Sequence, residues 1–133
     1  MGSHDDYGKA ILRQLGGNIV TDGPGVAINL GAGQPARIDG AIPGVLAIEV
    51  ESRTSKQVRG AVLDLVLHNA PKKLLLLIPM YMAGPCRDQC ENILGRFVSK
   101  ENFRVIILKG TGENPSLDKD VSIVREALRE LNI

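Results

Sequence analysis

Arg37-Ile-Asp-Gly-Ala-Ile-Pro-Gly-Val-Leu-Ala-Ile-Glu-Val-Glu51 is the stretch on which the fold turns. Its second half, Val45 to Glu51, alternates as a strand does, with successive side chains on opposite faces. Leu46, Ile48 and Val50 therefore share one face, and Ala47, Glu49 and Glu51 share the other. The first set is a core face. The second carries two carboxylates about 7 Å apart, which repel each other and are expensive to bury unpaired. Such a face is open to water, paired with cations, or holding a metal. Hard divalent ions such as magnesium want oxygen ligands of this kind, with water completing the octahedron.

The first half, Arg37 to Ile42, reads as a second strand, joined to the first through the turn dipeptide Pro43-Gly44. The length of that turn decides where Asp39 points. With Pro43 and Gly44 alone as a two-residue loop, Asp39 lies opposite Ile48 and faces the wrong side of the sheet. Pro-Gly favours a type II turn, however, whereas tight hairpins prefer the primed types. A three-residue loop, or a bulge at Gly40, shifts the register by one and is expected to put Asp39 beside Ala47 and diagonal to Glu49. Asp39 and Glu49 are then expected to converge.

Outward from this hairpin the chain alternates helix and strand. Tyr7 to Leu15 places Ile11, Leu12 and Leu15 at helical spacing, and Gly16-Gly17 is a helix stop. Val26 to Leu30 reads as a short strand between glycine-rich turns. Ser55 is expected to cap a helix running to about Leu67, with Val58, Ala61, Val62, Leu65 and Val66 on its buried face. Lys73 to Met80 is an apolar run too short to span a membrane and reads as a strand covered on both faces. A helix from about Pro85 to Val98, a strand Phe103 to Leu108 and a helix Val121 to Leu131 complete the order. An antiparallel three-strand meander followed by crossovers predicts an α/β fold, a mixed sheet with helices on both faces. Residues 1–133 read as a single domain; Met1 to His4 reads as the remnant of a cloned tag and is assigned no function.

Composition narrows the function classes. The 133 residues suit one core, with 44% apolar and 23% charged residues. Sixteen Lys and Arg against fifteen Asp and Glu leave +1, so no global field attracts nucleic acid or anionic membrane. Aromatics are 3% with no Trp, which argues against stacking platforms for single strands. Two cysteines make no disulfide framework, so a reducing, cytoplasmic setting is expected. No apolar stretch reaches the roughly eighteen residues of a membrane span, and no membrane partner is expected.

The acidic stretch resembles the core of the PD-(D/E)XK nuclease superfamily: Arg37-Ile-Asp39-Gly, a turn, then Ala47-Ile-Glu49-Val-Glu51. The order of helix, three-strand meander, helix and strand over roughly Tyr7 to Met80 is similar to that superfamily's common core. The resemblance implies a restriction-endonuclease-like fold and hydrolysis of DNA phosphodiester bonds through a magnesium-activated water, with manganese a substitute. It implies Asp39 as first metal ligand, Glu49 as second and the Val50 carbonyl as a possible third. Glu51 stands where the family usually has Lys, an arrangement some restriction enzymes share; it implies a second metal site or a proton acceptor. Many members place a Gln or Lys from the following helix over the site, a role matched in position by Lys56 or Gln57, which would orient water and offset phosphate charge. Arg53, Lys56, Gln57 and Gly60 form one stripe of that helix, and Arg59 points elsewhere. So small a chain implies a homodimer or a partner subunit acting on duplex or branched DNA. A second reading keeps the nuclease fold without catalysis, as a nucleic-acid-binding or assembly module. It rests on Glu51 and on the weak net charge. A third is an α/β interaction protein with a solvated acidic face.

Other signals read as structure. Gly31-Ala-Gly33 lacks the third glycine and the helix of a dinucleotide turn and reads as a loop, as does Thr111 to Ser116. Cys86 and Cys90 read as a pair of helix thiols without further zinc ligands. His68 is expected in a surface or capping role, and no Ser/His/Asp or Cys/His grouping suggests a covalent mechanism. With Asp39, Glu49 and Glu51 neutralised, twelve of the fifteen acids would face sixteen bases. Arg37, Arg53, Lys56 and Arg59 lie close to them in sequence. The charge then limits DNA contacts to local ones and does not exclude them.

Overall fold

Leu74, Leu75, Leu76 and Leu77 are all fully buried, as befits an apolar run covered on both faces. Around them the chain folds as α1 (Ser3–Leu15), β1 (Ala27–Ile28), β2 (Ala36–Arg37), β3 (Gly40–Ile42), β4 (Leu46–Glu51), α2 (Lys56–Leu67), β5 (Lys72–Leu77), α3 (Ala83–Leu94), β6 (Phe103–Ile107) and α4 (Leu117–Glu130). The structure, a computed structural model, describes residues 3–53 and 56–133, so the proposed cap Ser55 lies outside the described residues. The main sheet has the order β3-β4-β5-β6, with β3 antiparallel to β4 and the other pairs parallel.

Both crossovers step the same way across the sheet, so a common right-handedness puts α2 and α3 on one face. There Val58, Ala61, Val62, Leu65, Cys86, Cys90 and Leu94 pack on Ala47, Leu75, Leu77 and Val105. Helices α1 and α4 take the other face, where Ile11, Leu12, Val121 and Val124 cover Leu46, Ile48, Leu74 and Leu76. The alternation read from β4 is thus the partition between the two cores. Gly8 lets α1 come down on β4: a Cβ there would lie 3.1 Å from the Val50 side chain. The helix stops where expected, with Gly16 at φ 60°, a conformation glycine adopts without strain.

The expected meander differs in its first strands. Val26 to Leu30 contributes only β1, which pairs with β2 in a separate two-stranded sheet. Arg37 to Ile42 is broken at Ile38-Asp39, so the main sheet receives two of the three strands. The cause is a change of partner: the Ile38 N–H donates to the Val26 carbonyl, whereas the Asp39 N–H donates to the Glu49 side chain. Val20 covers the outer edge of β3 through a reciprocal pair of bonds with Ala41, at 2.8 and 2.9 Å. Three helices begin or end earlier than periodicity suggests. Helix α1 takes in Ser3 and His4, with Asp5 and Asp6 favouring its N-terminal dipole. Helix α3 runs from Ala83 and stops at Leu94 in place of Val98, and α4 begins at Leu117, with Asp118 and Asp120 in its first turn.

His68 departs from a surface role: it is buried after α2, takes the Ala70 N–H on Nδ1 at 3.0 Å and donates from Nε2 to the Gly25 carbonyl at 2.8 Å. Lys73, which the sequence hides at the head of the apolar run, is also buried. Its ammonium donates to the His68 carbonyl at 2.7 Å, near the negative end of α2, and burial pulls its pKa down to about 8.

Candidate active site

The hairpin register brings the two acids together. Gly40 pairs with Ile48, Ala41 with Ala47 and Ile42 with Leu46, leaving Pro43, Gly44 and Val45 as a three-residue loop. The Val45 N–H closes it on the Ile42 carbonyl at 2.8 Å, and Gly44 sits at φ 77°. Continuing this register by one residue puts Asp39 opposite Glu49 itself. The expected neighbour Ala47 is instead the partner of Ala41. The two acids interlock: the Asp39 N–H donates to Glu49 Oε1 at 2.8 Å, and the Val50 N–H donates to Asp39 Oδ2 at 2.7 Å. These two bonds stand where ladder bonds would otherwise form, which is why β3 ends at Gly40.

Glu49 is 8% exposed. Burial, and then the Asp39 charge beside it, push its pKa up to about 9. Asp39 is also raised, first by desolvation and against the Val50 N–H bond, with Asp5 and Glu51 adding repulsion. The two carboxyls share a side-chain hydrogen bond that favours the proton on Glu49. Two acids that resist ionising side by side hold a proton between them, or exchange it for a cation. The sign of the resulting pH dependence is defined. A carboxyl raised in the folded chain contributes its full stability below its unfolded pKa, near 4.5, and that contribution is lost as pH rises towards about 9. Metal-free protein is expected to lose stability from pH 5 to pH 9, by at most about 1.4 kcal/mol per unit. Urea unfolding across that range measures the slope, and Glu49→Gln should flatten it.

The other expected site residues are placed differently. Glu51 is buried on the same face, but its Oε2 accepts from the Ser52 N–H at 2.8 Å, the Arg53 N–H at 3.3 Å and Arg53 Nε at 3.4 Å. The cation beside it is therefore Arg53, whose side chain is otherwise exposed. Lys56 and Gln57 are exposed at the start of α2, and among the described residues neither reaches Asp39, Glu49 or Glu51 by a hydrogen bond or ion pair. The N–H and C=O of one strand residue leave the chain towards the same edge. The Val50 carbonyl thus points to the side from which its N–H reaches Asp39.

This donor set suits a hard cation. Two carboxylates and a backbone carbonyl supply oxygen only, and Glu49 is held protonated by burial and then by the Asp39 charge, a repulsion that a divalent ion relieves. Among the described residues no three His, Cys, Asp or Glu side chains form a metal-holding group. Two carboxylates and one carbonyl are fewer oxygens than a hard divalent ion takes, and water would have to complete its shell.

Two further acids escape a reading of the hairpin alone. Asp64 of α2 is raised by desolvation and by the Asp39 charge, and Asp5 of α1 adds to Asp39 from the other side. Asp64 sits one residue from Leu65 on a predicted helix, so its flank position was available from periodicity; Asp5 lay outside the predicted helix. No family model, curated protein or solved structure matches the chain. Among the described residues no helix is long and apolar enough to cross a membrane.

Proposed function

We propose that the chain is a metal-dependent DNA endonuclease of restriction-endonuclease-like fold. The observation that carries this reading is the convergence of Asp39 and Glu49 at the open end of β3, beside a backbone carbonyl. Asp39 and Glu49, with the Val50 carbonyl, would hold magnesium. When bound, magnesium supplies the Lewis acid and the activated water that phosphodiester hydrolysis requires. The chain's own residues do the rest. The Val50 N–H keeps Asp39 turned towards Glu49. Glu51 holds Arg53 at the rim, where a guanidinium offsets charge on the phosphate. Lys56 and Gln57, on the exposed end of α2, are positioned to approach a bound backbone. Duplex or branched DNA is the substrate class, and a homodimer or a partner subunit would supply a second strand's site.

A second reading, a nuclease-like module without catalysis that binds nucleic acid or assembles with protein, is favoured by one observation. Glu51 is tied to Arg53, and among the described residues no lysine forms an ion pair with Glu49. Purified protein incubated with plasmid, hairpin and four-way-junction DNA in Mg²⁺ or Mn²⁺ separates the two. Cleavage that EDTA stops is the expected result. Binding without cutting under every metal overturns the enzyme in favour of the module.

A further inference from the structure

Helix α1 carries a stripe of charge beside this site. Asp5, Lys9 and Arg13 recur every fourth residue, so they lie along one side of the helix. Together they form a wall of a cleft of about 710 Å³ whose facing wall is Arg37 and Asp39, with Val50 in its lining. That volume is in the range of sites that enclose small organic ligands and accepts a short length of one nucleic-acid strand. The stripe stands beside the end of β4 that carries the carboxyl pair, since Gly8, next to Lys9, packs on Val50. With a rise of about 1.5 Å per residue, Lys9 and Arg13 stand about 6 Å apart along the helix, a step comparable to that between successive phosphates of a strand.

The cations of the cleft are also uncommitted. Among the described residues Arg53, Arg87, Arg104 and Arg129 are each in an ion pair, and Arg125 donates to the Gln14 carbonyl. Lys9, Arg13 and Arg37 make no ion pair and no side-chain hydrogen bond among the described residues. Asp22 also lines the cleft, so its formal charges balance as a whole. The near-neutral chain thus sets three such cations in one groove that reaches Asp39.

We propose that this cleft seats the sugar–phosphate backbone of the scissile DNA strand, with Lys9 and Arg13 on successive phosphates beyond the one at Asp39 and Arg37 on the opposite wall. The assignment rests on the nuclease reading for its direction, since the strand must end at the carboxyl pair, but its test does not require cutting. Fluorescence anisotropy of a labelled duplex and a labelled four-way junction, in EDTA and again in Ca²⁺, measures affinity against salt for the wild type and for Lys9→Gln, Arg13→Gln and Arg37→Gln. Each is expected to weaken binding about three- to tenfold and to lower the salt slope by about one. Lys119→Gln, on the exposed side of α4, is expected to leave both unchanged. All four side chains are exposed, and thermal melts are expected to match the wild type.

Unchanged affinity and slope in a Lys9→Gln/Arg13→Gln double variant overturns the cleft, even if the wild type cuts DNA. Loss of binding in that variant supports the cleft even where no metal yields cutting, in which case it is the nuclease reading that falls. Equal weakening by Lys119→Gln, or no DNA bound by the wild type at low salt, also overturns it.

Discussion

Glu49→Gln is expected to lower metal-dependent DNA cleavage by at least about a hundredfold while leaving the fold intact. The two halves of that result have one cause. Glu49 is nearly buried beside Asp39, and in the metal-free chain it already holds a proton up to about pH 9. Gln keeps the shape, keeps one oxygen to accept the Asp39 N–H, and offers an amide donor to the Asp39 carboxylate. Nothing buried is left without a partner, so the melting temperature at pH 8 is expected to equal or exceed that of the wild type. What Gln cannot do is give up a proton to receive a divalent ion. Mg²⁺ or Mn²⁺ should therefore raise the melting temperature of the wild type and not of the variant, because a ligand held only by the native state must stabilise it. Plasmid nicking and a thermal melt with and without metal check both halves. Cleavage at the wild-type rate by a folded Glu49→Gln chain would remove Glu49 from the mechanism.

Asp120→Ala is expected to destabilise the chain by about 3–5 kcal/mol, a large fraction of the roughly 5–15 kcal/mol that holds a domain of this size together. Asp120 is fully buried at the first turn of α4. Its Oδ1 accepts the Lys109 N–H at 2.7 Å, and its Oδ2 accepts the Gly110 N–H at 2.9 Å and the Tyr7 hydroxyl at 2.5 Å. The same hydroxyl accepts the Ser116 N–H at 3.0 Å. One carboxylate thus ties α1 to both ends of the loop between β6 and α4. Burial and this bond to Asp120 push the Tyr7 phenol up to about 12, so it stays a donor at any working pH. Alanine would orphan two backbone donors and the phenol, of which the Gly110 N–H and the phenol belong to buried residues. Tyr7→Phe removes one of the three donors to Asp120 and leaves the Ser116 N–H without its acceptor, and should cost about 1–3 kcal/mol. Urea unfolding of the two variants gives the ratio. Because Tyr7 adjoins Gly8, where α1 meets Val50, the loss should also loosen the wall of the cleft.

Neighbouring residues spoke for themselves in some places and not in others. The face of β4 that carries Glu49 and Glu51 was legible because strand alternation is a property of six consecutive residues. The buried face of α2 was legible for the same reason at helical spacing, and so was the doubly covered β5. The meeting of Asp39 with Glu49 hung on one turn residue. A three-residue loop sets Asp39 opposite Glu49, two positions from the expected neighbour Ala47, which pairs with Ala41. The break between β2 and β3 was not legible, since it arises where the Asp39 N–H prefers a side-chain carboxylate to a ladder carbonyl.

What the sequence determined by itself is therefore the set of local periods: which faces are apolar, where helices stop at glycine, and that two acids share a strand face. These follow from spacings of two to four residues and need no knowledge of the rest of the chain. Only the tertiary structure decided which of those faces meet. It set Tyr7 against Asp120 across 113 positions, drew His68 and Lys73 into the core, and brought Lys9 and Arg13 into one cleft with Asp39. Partners so far apart in sequence are selected by packing and by the need of buried polar groups for a bond, which no spacing along the chain records.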